Sequence, residues 1–377
     1  MSNSVRQTIG GHGVKLRAGV VGIGWAGQAH MAAYHAMEDV ELVAIAGMEE
    51  DVLAELGQTY GLSRLHREWQ EMIDAGELDV ISVAVPTFLH APIAVAALEA
   101  GIHVLSEKPM ARTAAEALEM TEAARKAGRV LEVAFNHRRR GDITVLKQAI
   151  DNGELGRPYH ARAYWMRRAG IPSLGSWFTN QEMSGGGPLI DIGVHVLDYA
   201  LHLLGDPEVH SVSAVTHSEL GVRGLGGSDW AARRSLESDY EVEDLASALI
   251  RFSNGASLIL ETSWAAYRPN GDEFGITLYG TDGGAELRVV DYESDVPVKI
   301  FSGEGEEHTD HELVPVENGN HPAVVQTFIE HVLDRQNWAA YDGSVGLKRA
   351  AIIDACYLSA ASGREVVLEQ NQQGASA

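Results

Sequence analysis

Residues 16–27 read LRAGVVGIGWAG, and this stretch decides the fold. LRAGVV is apolar enough to be a buried strand. It runs without a linker into G-x-G-x-x-G at Gly22, Gly24 and Gly27, and WAGQAHMAAYHAM then carries a helical pattern. In a strand–turn–helix unit the first glycine permits the tight turn, and the second lets a pyrophosphate approach the backbone. The third packs the helix close to the strand, and the helix N-terminus faces the negative charge. The loop therefore predicts dinucleotide binding, with Gly22, Gly24, Trp25 and Gly27 as its candidate cofactor residues.

Working outward, the same alternation continues. ELVAIAG, LDVISVAVP, IHVLSEKP and RVLEVAF read as strands, and DVLAELGQTYG, APIAVAALEAG and TAAEALEMTEAARKAG as helices. Short apolar strands separated by helices indicate a parallel sheet. We expect a polar leader over 1–14 and a Rossmann domain over 15–137. From 138 to 377 the pattern changes. One helix (ITVLKQAIDNGELG) and one strand (PYHARAYWM) lead to a helix ending near Leu204, followed by a Gly- and charge-rich loop at 218–238. Hairpins follow, one around Asn254-Gly255, a pair that tolerates positive φ, and one over FGITLYGTDGGAELRVV. The expected class is α/β: an N-terminal Rossmann parallel sheet plus a C-terminal α+β domain with a large, mainly antiparallel open sheet. Two last helices, within 322–361, are expected to pack back toward the Rossmann domain.

Composition narrows the function. The 377 residues hold 29 Lys+Arg against 53 Asp+Glu, a net charge of -24. Nucleic acids and anionic membranes select basic surfaces, so neither is expected as a partner. There is one cysteine, Cys356, in an apolar helical pattern, so neither a disulfide nor a cysteine metal cluster is available. The His- and acid-dense run GEGEEHTDHE (303–312) lacks helical ligand spacing and reads as a solvated loop, so no metal is expected. Without an apolar leader or a membrane-length apolar run, a cytoplasmic protein is expected.

Cofactor choice is read about 20 residues after the glycines, where an acidic residue should bind the adenosine ribose. Gly47 stands at that position. Glu49 and Glu50 lie just beyond it, with Glu49 the candidate, and no arginine or lysine nearby in sequence suits a 2′-phosphate. NAD is favoured over NADP.

Ligands of open parallel sheets bind beyond the carboxyl ends of the strands. PTFLH (86–90) and EKP (107–109) lie there, and Pro109 keeps Lys108 extended. A lysine so held either serves as a surface charge or donates to a substrate oxygen. In SGGGPLIDIGVHVLD (184–198), Pro188 suits a helix start, and Asp191, His195, Asp198 and His202 follow at spacings of 4, 3 and 4. One polar stripe on an otherwise apolar helix fits a wet cleft wall and fits internally satisfied buried groups equally well.

Taken together, GIGWAGQAH, PTFLHAPIAVAALEAGIHVLSEKP and GGGPLIDIGVHVLDYALHLLG resemble the glucose–fructose oxidoreductase/inositol dehydrogenase (Gfo/Idh/MocA) family, from Lys15 to about Val367. The resemblance implies NAD(P)-linked hydride transfer at a sugar or polyol carbinol carbon. It also implies a homo-oligomer, dimer or tetramer, formed through the C-terminal sheet. It assigns Lys108 to substrate and cofactor, Asp191 and His195 to binding the hydroxyl and moving its proton, and Glu107 and Asn136 to the nicotinamide ribose and carboxamide. Thr87 and His90 fall in the loop near the cofactor. Gly47 departs from the family, whose NAD-using members usually carry aspartate there.

For the substrate, Arg138 (with Arg139 and Arg140), Arg167 and Arg168 are candidates for reading an anionic sugar, or else for structural ion pairs. Trp165, Trp177 and Phe178 are candidates for stacking on a sugar ring, Trp177 foremost. A second reaction implied by some relatives is NAD-dependent glycoside hydrolysis through transient C3 oxidation and elimination. An anionic glycoside such as a sulfoquinovoside would suit it.

Overall fold

The computed structural model describes residues 15–228, 240–293, 298–304 and 307–368. The expected leader, most of the second half of the 218–238 loop and the tip of the 303–312 run lie outside them.

The first half alternates as β1 (Leu16–Val21), α1 (Trp25–Ala36), β2 (Val40–Ala46), α2 (Glu50–Tyr60), β3 (Arg64–His66), α3 (Trp69–Asp74), β4 (Val80–Val83), α4 (His90–Glu99), β5 (His103–Ser106), α5 (Ala114–Ala127) and β6 (Leu131–Val133). The strands form one parallel sheet in the order β3-β2-β1-β4-β5-β6. The order reverses between β1 and β4, which opens a crevice at their carboxyl ends. Strands buried on both faces explain the unbroken apolar runs of the sequence; all four residues of β4 and of β5 are buried.

The second half begins with α6 (Gly141–Asp151) and β7 (Pro158–Arg167), then α7 (Gln181–Ser184), α8 (Pro188–Asp191) and α9 (Gly193–Leu203). It continues through β8 (Val209–His217), β9 (Leu245–Phe252), β10 (Ser257–Ser263), β11 (Asp272–Gly280), β12 (Gly283–Val290), β13 (Val298–Glu304) and β14 (Glu307–Leu313), and closes with α10 (Asn320–Leu333), α11 (Ser344–Ser362) and β15 (Val366–Val367). These strands form a nine-stranded sheet, β14-β13-β12-β11-β7-β10-β9-β8-β15, antiparallel except at β7–β10. One face packs α9, which gives seven residues to a core shared with Trp165, Trp264 and Phe274. Gly255, at φ 84°, turns the β9–β10 hairpin as the Asn-Gly pair predicts.

Two expectations change. The run read as a solvated loop contains β14, an edge strand exposed along nearly its whole length, so it shows no alternation. Charged residues on such an edge discourage further strand pairing. The helix expected to run unbroken to Leu204 kinks at Ile192, between α8 and α9. At the C-terminus, Val324, Val325 and Phe328 of α10 join the β1–β2 core, and α11 packs on both α5 and β8.

Candidate active site

A cavity of about 1360 Å³ runs from the glycine loop to α8 and α9. At its first end the glycines behave as their spacing predicts. Gly22 has φ 99°, and a Cβ there would lie 2.0 Å from the Ala84 carbonyl oxygen. Above Gly24 there is open space within 4 Å, the room a pyrophosphate needs. A Cβ on Gly27 would meet the Gly22 oxygen at 1.9 Å, so this glycine serves helix–strand packing and does not line the cavity. The strand–loop–helix cradle thus fits a dinucleotide.

Gly22, Gly24, Trp25, Glu49, Thr87, Glu107, Lys108 and Asn136 all line this cavity. His90 does not. Its buried ring sits 2.8 Å from the carbonyl oxygens of both Val85 and Pro109, so it ties the loop after β4 to the loop carrying Lys108. Glu107 is buried with the Nε2 atoms of His30 and His321 at 3.2 and 3.3 Å from its Oε1. Burial opposes its ionisation, yet the two imidazoles hold the carboxyl well below the usual range.

The end of the cavity beside Gly47 holds a residue that no local sequence pattern marks. Arg67, just after β3, lines the cavity near Glu49 and is ion-paired with Glu50. A cation is therefore present after all, brought from the neighbouring strand rather than from the β2 loop.

At the other end Lys108 meets Asp191. Lys108 Nζ donates to Asp191 Oδ1 at 2.9 Å and to its main-chain oxygen at 3.1 Å, and Trp264 Nε1 donates to Oδ2 at 3.0 Å. The kink at Ile192 frees that main-chain oxygen, because the His195 amide bonds to Ile192 instead. Burial works against the Asp191 carboxylate, but Lys108, Arg167 and the Trp264 N–H outweigh it and hold its pKa low. His195 lies one turn on, buried and lining the same cavity. Burial, His137 and Lys108 push its pKa well below 6.5, so the imidazole is neutral. A neutral histidine beside an ammonium–carboxylate pair can accept a hydroxyl proton while the ammonium stabilises the oxygen left behind.

The glycines of 185–187 make room for neighbouring groups. Only Gly185 has positive φ, 84°. A Cβ on Gly186 would strike the Tyr357 hydroxyl at 1.9 Å, and one on Gly187 the Glu243 carbonyl at 2.1 Å. Glu243 then accepts the Gly187 and Leu189 amides, each at 2.9 Å, and the Tyr357 hydroxyl at 3.0 Å. This carboxylate caps the first turn of α8 and sets where Asp191 points.

The four-residue stripe divides. Asp191 and His195 face the cavity, whereas Asp198 is buried against Arg138 Nε (2.6 Å) and Arg349 Nε (3.0 Å). His202 does not line the cavity either. The expected substrate arginines are placed elsewhere too. Arg138 is committed to Asp198, Arg167 bonds Asp272 at 2.8 Å, and Arg168 donates to the Arg268 carbonyl. Arg140 does line the cavity but pairs with Asp142. Trp177 and Phe178 line it, stacked on one another at 3.8 Å, while Trp165 lies buried beneath His137 and His195.

Residues 16–135 match the family model of the oxidoreductase family with NAD-binding Rossmann fold, and residues 143–286 match that of the GFO/IDH/MocA C-terminal domain. The chain belongs to the GFO/IDH/MocA family. It is an NAD(P)-dependent oxidoreductase. Among GFO/IDH/MocA relatives, D-glucoside 3-dehydrogenase of Escherichia coli (strain K12) is 35% identical over 94% of this chain and 97% of its own. Levoglucosan dehydrogenase of Pseudarthrobacter phenanthrenivorans is 33% identical over 71% and 72% of the two chains. A solved levoglucosan dehydrogenase in complex with NADH and levoglucosan superposes with TM-score 0.77 at 27% identity, covering 94% of this chain and 100% of that one. These names give no support to glycoside hydrolysis. Among the described residues, no helix is long and apolar enough to cross a membrane.

Proposed function

We propose that this enzyme is an NAD-linked dehydrogenase of a neutral sugar or sugar derivative, oxidising a ring carbinol to a ketone. The observation that carries the reading is the Lys108–Asp191 pair beside neutral His195, in the same cavity as the glycine cradle. The names of the glucoside and levoglucosan dehydrogenases point to the same substrate class.

When bound, nicotinamide supplies the hydride acceptor. Lys108 donates to the substrate oxygen and stabilises the charge that develops on it. His195 takes the hydroxyl proton, and Asp191, ionised by its cationic and N–H neighbours, holds Lys108 in place. Glu49, Trp25 and Thr87 would flank the dinucleotide, with Glu107 and Asn136 nearer its nicotinamide end. NAD is preferred to NADP because Glu49 lines the adenosine end and Arg67 is already matched by Glu50. A neutral substrate accords with the pairing of the cations that line the other end: Lys108 and Arg140 each have a carboxylate partner. A homo-oligomer through the outer face of the nine-stranded sheet accords with exposed Val215, Tyr279 and Phe301 there, and the NAD(H) requirement suits a cytoplasmic location.

The test is NADH absorbance over a panel of glucosides, anhydrosugars, polyols and sugar acids, with NAD and NADP in parallel. Turnover confined to sugar acids, or faster with NADP, would overturn the corresponding part of the reading.

A further inference from the structure

His137 stands beside His195 and has no part in the proton transfer just described. The two rings stack with centroids 4.4 Å apart and planes 30° apart, and both residues line the cavity. Trp165 supports them from behind, 5.0 Å from His137 and 5.7 Å from His195. The Nδ1 atom of each histidine is buried without a hydrogen-bond partner, which leaves Nε2 as the nitrogen each ring can offer to a bound molecule. Burial, with Arg140 and Lys108 nearby, holds the His137 ring neutral like that of His195. A neutral imidazole can donate or accept at one nitrogen. Two such rings, with centroids 4.4 Å apart, can meet neighbouring oxygens on a sugar ring, since ordinary hydrogen bonds absorb the difference in spacing. Were only one oxygen present, the second ring would stay in a desolvated site with nothing to bond.

We infer that His137 binds the hydroxyl next to the one His195 deprotonates, so that the enzyme selects vicinal diols. This rests on the sugar-carbinol reading above. The neighbouring hydroxyl is unchanged in the reaction. His137 recognises it and fixes which carbon faces the hydride acceptor.

The test follows NADH formation from methyl β-D-glucopyranoside and its 2-, 3- and 4-deoxy analogues, using wild type, His137→Phe and His137→Gln. Phenylalanine keeps a ring against His195 and Trp165 but removes both nitrogens, and glutamine restores a polar group. In the wild type the analogue lacking the reacting hydroxyl gives no NADH. One of the remaining analogues falls at least about 10-fold in kcat/KM. In His137→Phe the parent glucoside drops to the level of that analogue, and His137→Gln recovers part of the difference. A His137→Phe enzyme that still discriminates as the wild type does, or that loses activity equally on parent and analogue, overturns the inference alone. No NADH from the parent or from any member of the wider panel overturns the sugar reading and the inference together.

Discussion

Ile23 occupies the space a side chain at position 47 would need: a Cβ built on Gly47 would lie 2.6 Å from both Cγ1 and Cδ1 of Ile23. The acidic residue usual at the end of β2 is therefore excluded by the residue between the first two glycines of the cofactor loop. Gly47→Asp alone forces overpacking worth about 1–3 kcal/mol. It should lower Tm without tightening NAD. The double variant Ile23→Ala/Gly47→Asp relieves the clash and should shift the ratio of NAD to NADP affinity further toward NAD. Fluorescence titration of both cofactors checks this; tighter NAD binding in the single variant would contradict it.

Lys108→Met removes the donor to the reacting oxygen and leaves Asp191 without its ammonium partner. A single donor of this kind is worth roughly 10²–10³ in kcat, and we expect a loss in that range with NAD affinity changed by less than a few-fold. Stopped-flow hydride transfer and cofactor titration separate the two effects. A variant retaining a tenth of wild-type kcat would mean that Lys108 does not touch the reacting oxygen.

Glu243 is the least visible part of the site. Glu243→Gln turns one accepting oxygen into an N–H₂ that faces amide donors, and an orphaned buried amide costs about 1–3 kcal/mol. The variant should unfold earlier and, in its folded fraction, lose kcat more than it gains in KM for sugar. Tyr357→Phe removes a single hydroxyl donor and should do less of both. Equal effects from the two would mean that α8 does not depend on the Glu243 carboxylate.

The contrast between Lys108 and Glu243 shows what the sequence could convey. Lys108, Asp191 and His195 sit in contiguous motifs at strand ends and helix starts, so local spacing exposes them. Glu243, Trp264 and Arg67 reach the site from loops and His321 from the first turn of α10, where no local pattern marks them. The fold was legible because β4 and β5, buried on both faces, read as apolar runs, while β14, wet along its length, carried no period. The stripe from Asp191 to His202 misled for a related reason. Helical spacing predicts a shared face, but Arg349, 151 residues beyond Asp198, determines that Asp198 is a buried partner rather than a cleft residue.

That placement makes Arg138 a structural residue. Arg138→Ala leaves buried Asp198 with Arg349 as its remaining partner. Removing one partner of a buried ion pair costs about 3–5 kcal/mol when nothing compensates, and Arg349 should keep the loss toward or below the lower figure. Chemical denaturation should show that loss, while KM for sugar stays within a few-fold. A large KM increase in a variant of unchanged stability would restore Arg138 to the substrate.

Acid should unfold the enzyme through buried His103 and half-buried His202. Burial and Arg129 push His103 down to about 3, and its Nδ1 accepts the Val130 amide at 2.9 Å, a bond that protonation forbids. Burial and Arg138 push His202 down to about 4. Both folded values lie below the unfolded value near 6.5, so the unfolded chain binds more protons, and stability falls as pH drops below about 6.5. The loss continues until the folded values are reached, near pH 4 for His202 and pH 3 for His103. Each group contributes up to about 1.4 kcal/mol per pH unit, reduced by its partial exposure. His103→Asn keeps an acceptor for Val130 and removes the titration. Its Tm should therefore fall less steeply than wild type between pH 6 and 4. Parallel Tm–pH curves for the two proteins would show that His103 is not a source of the acid sensitivity.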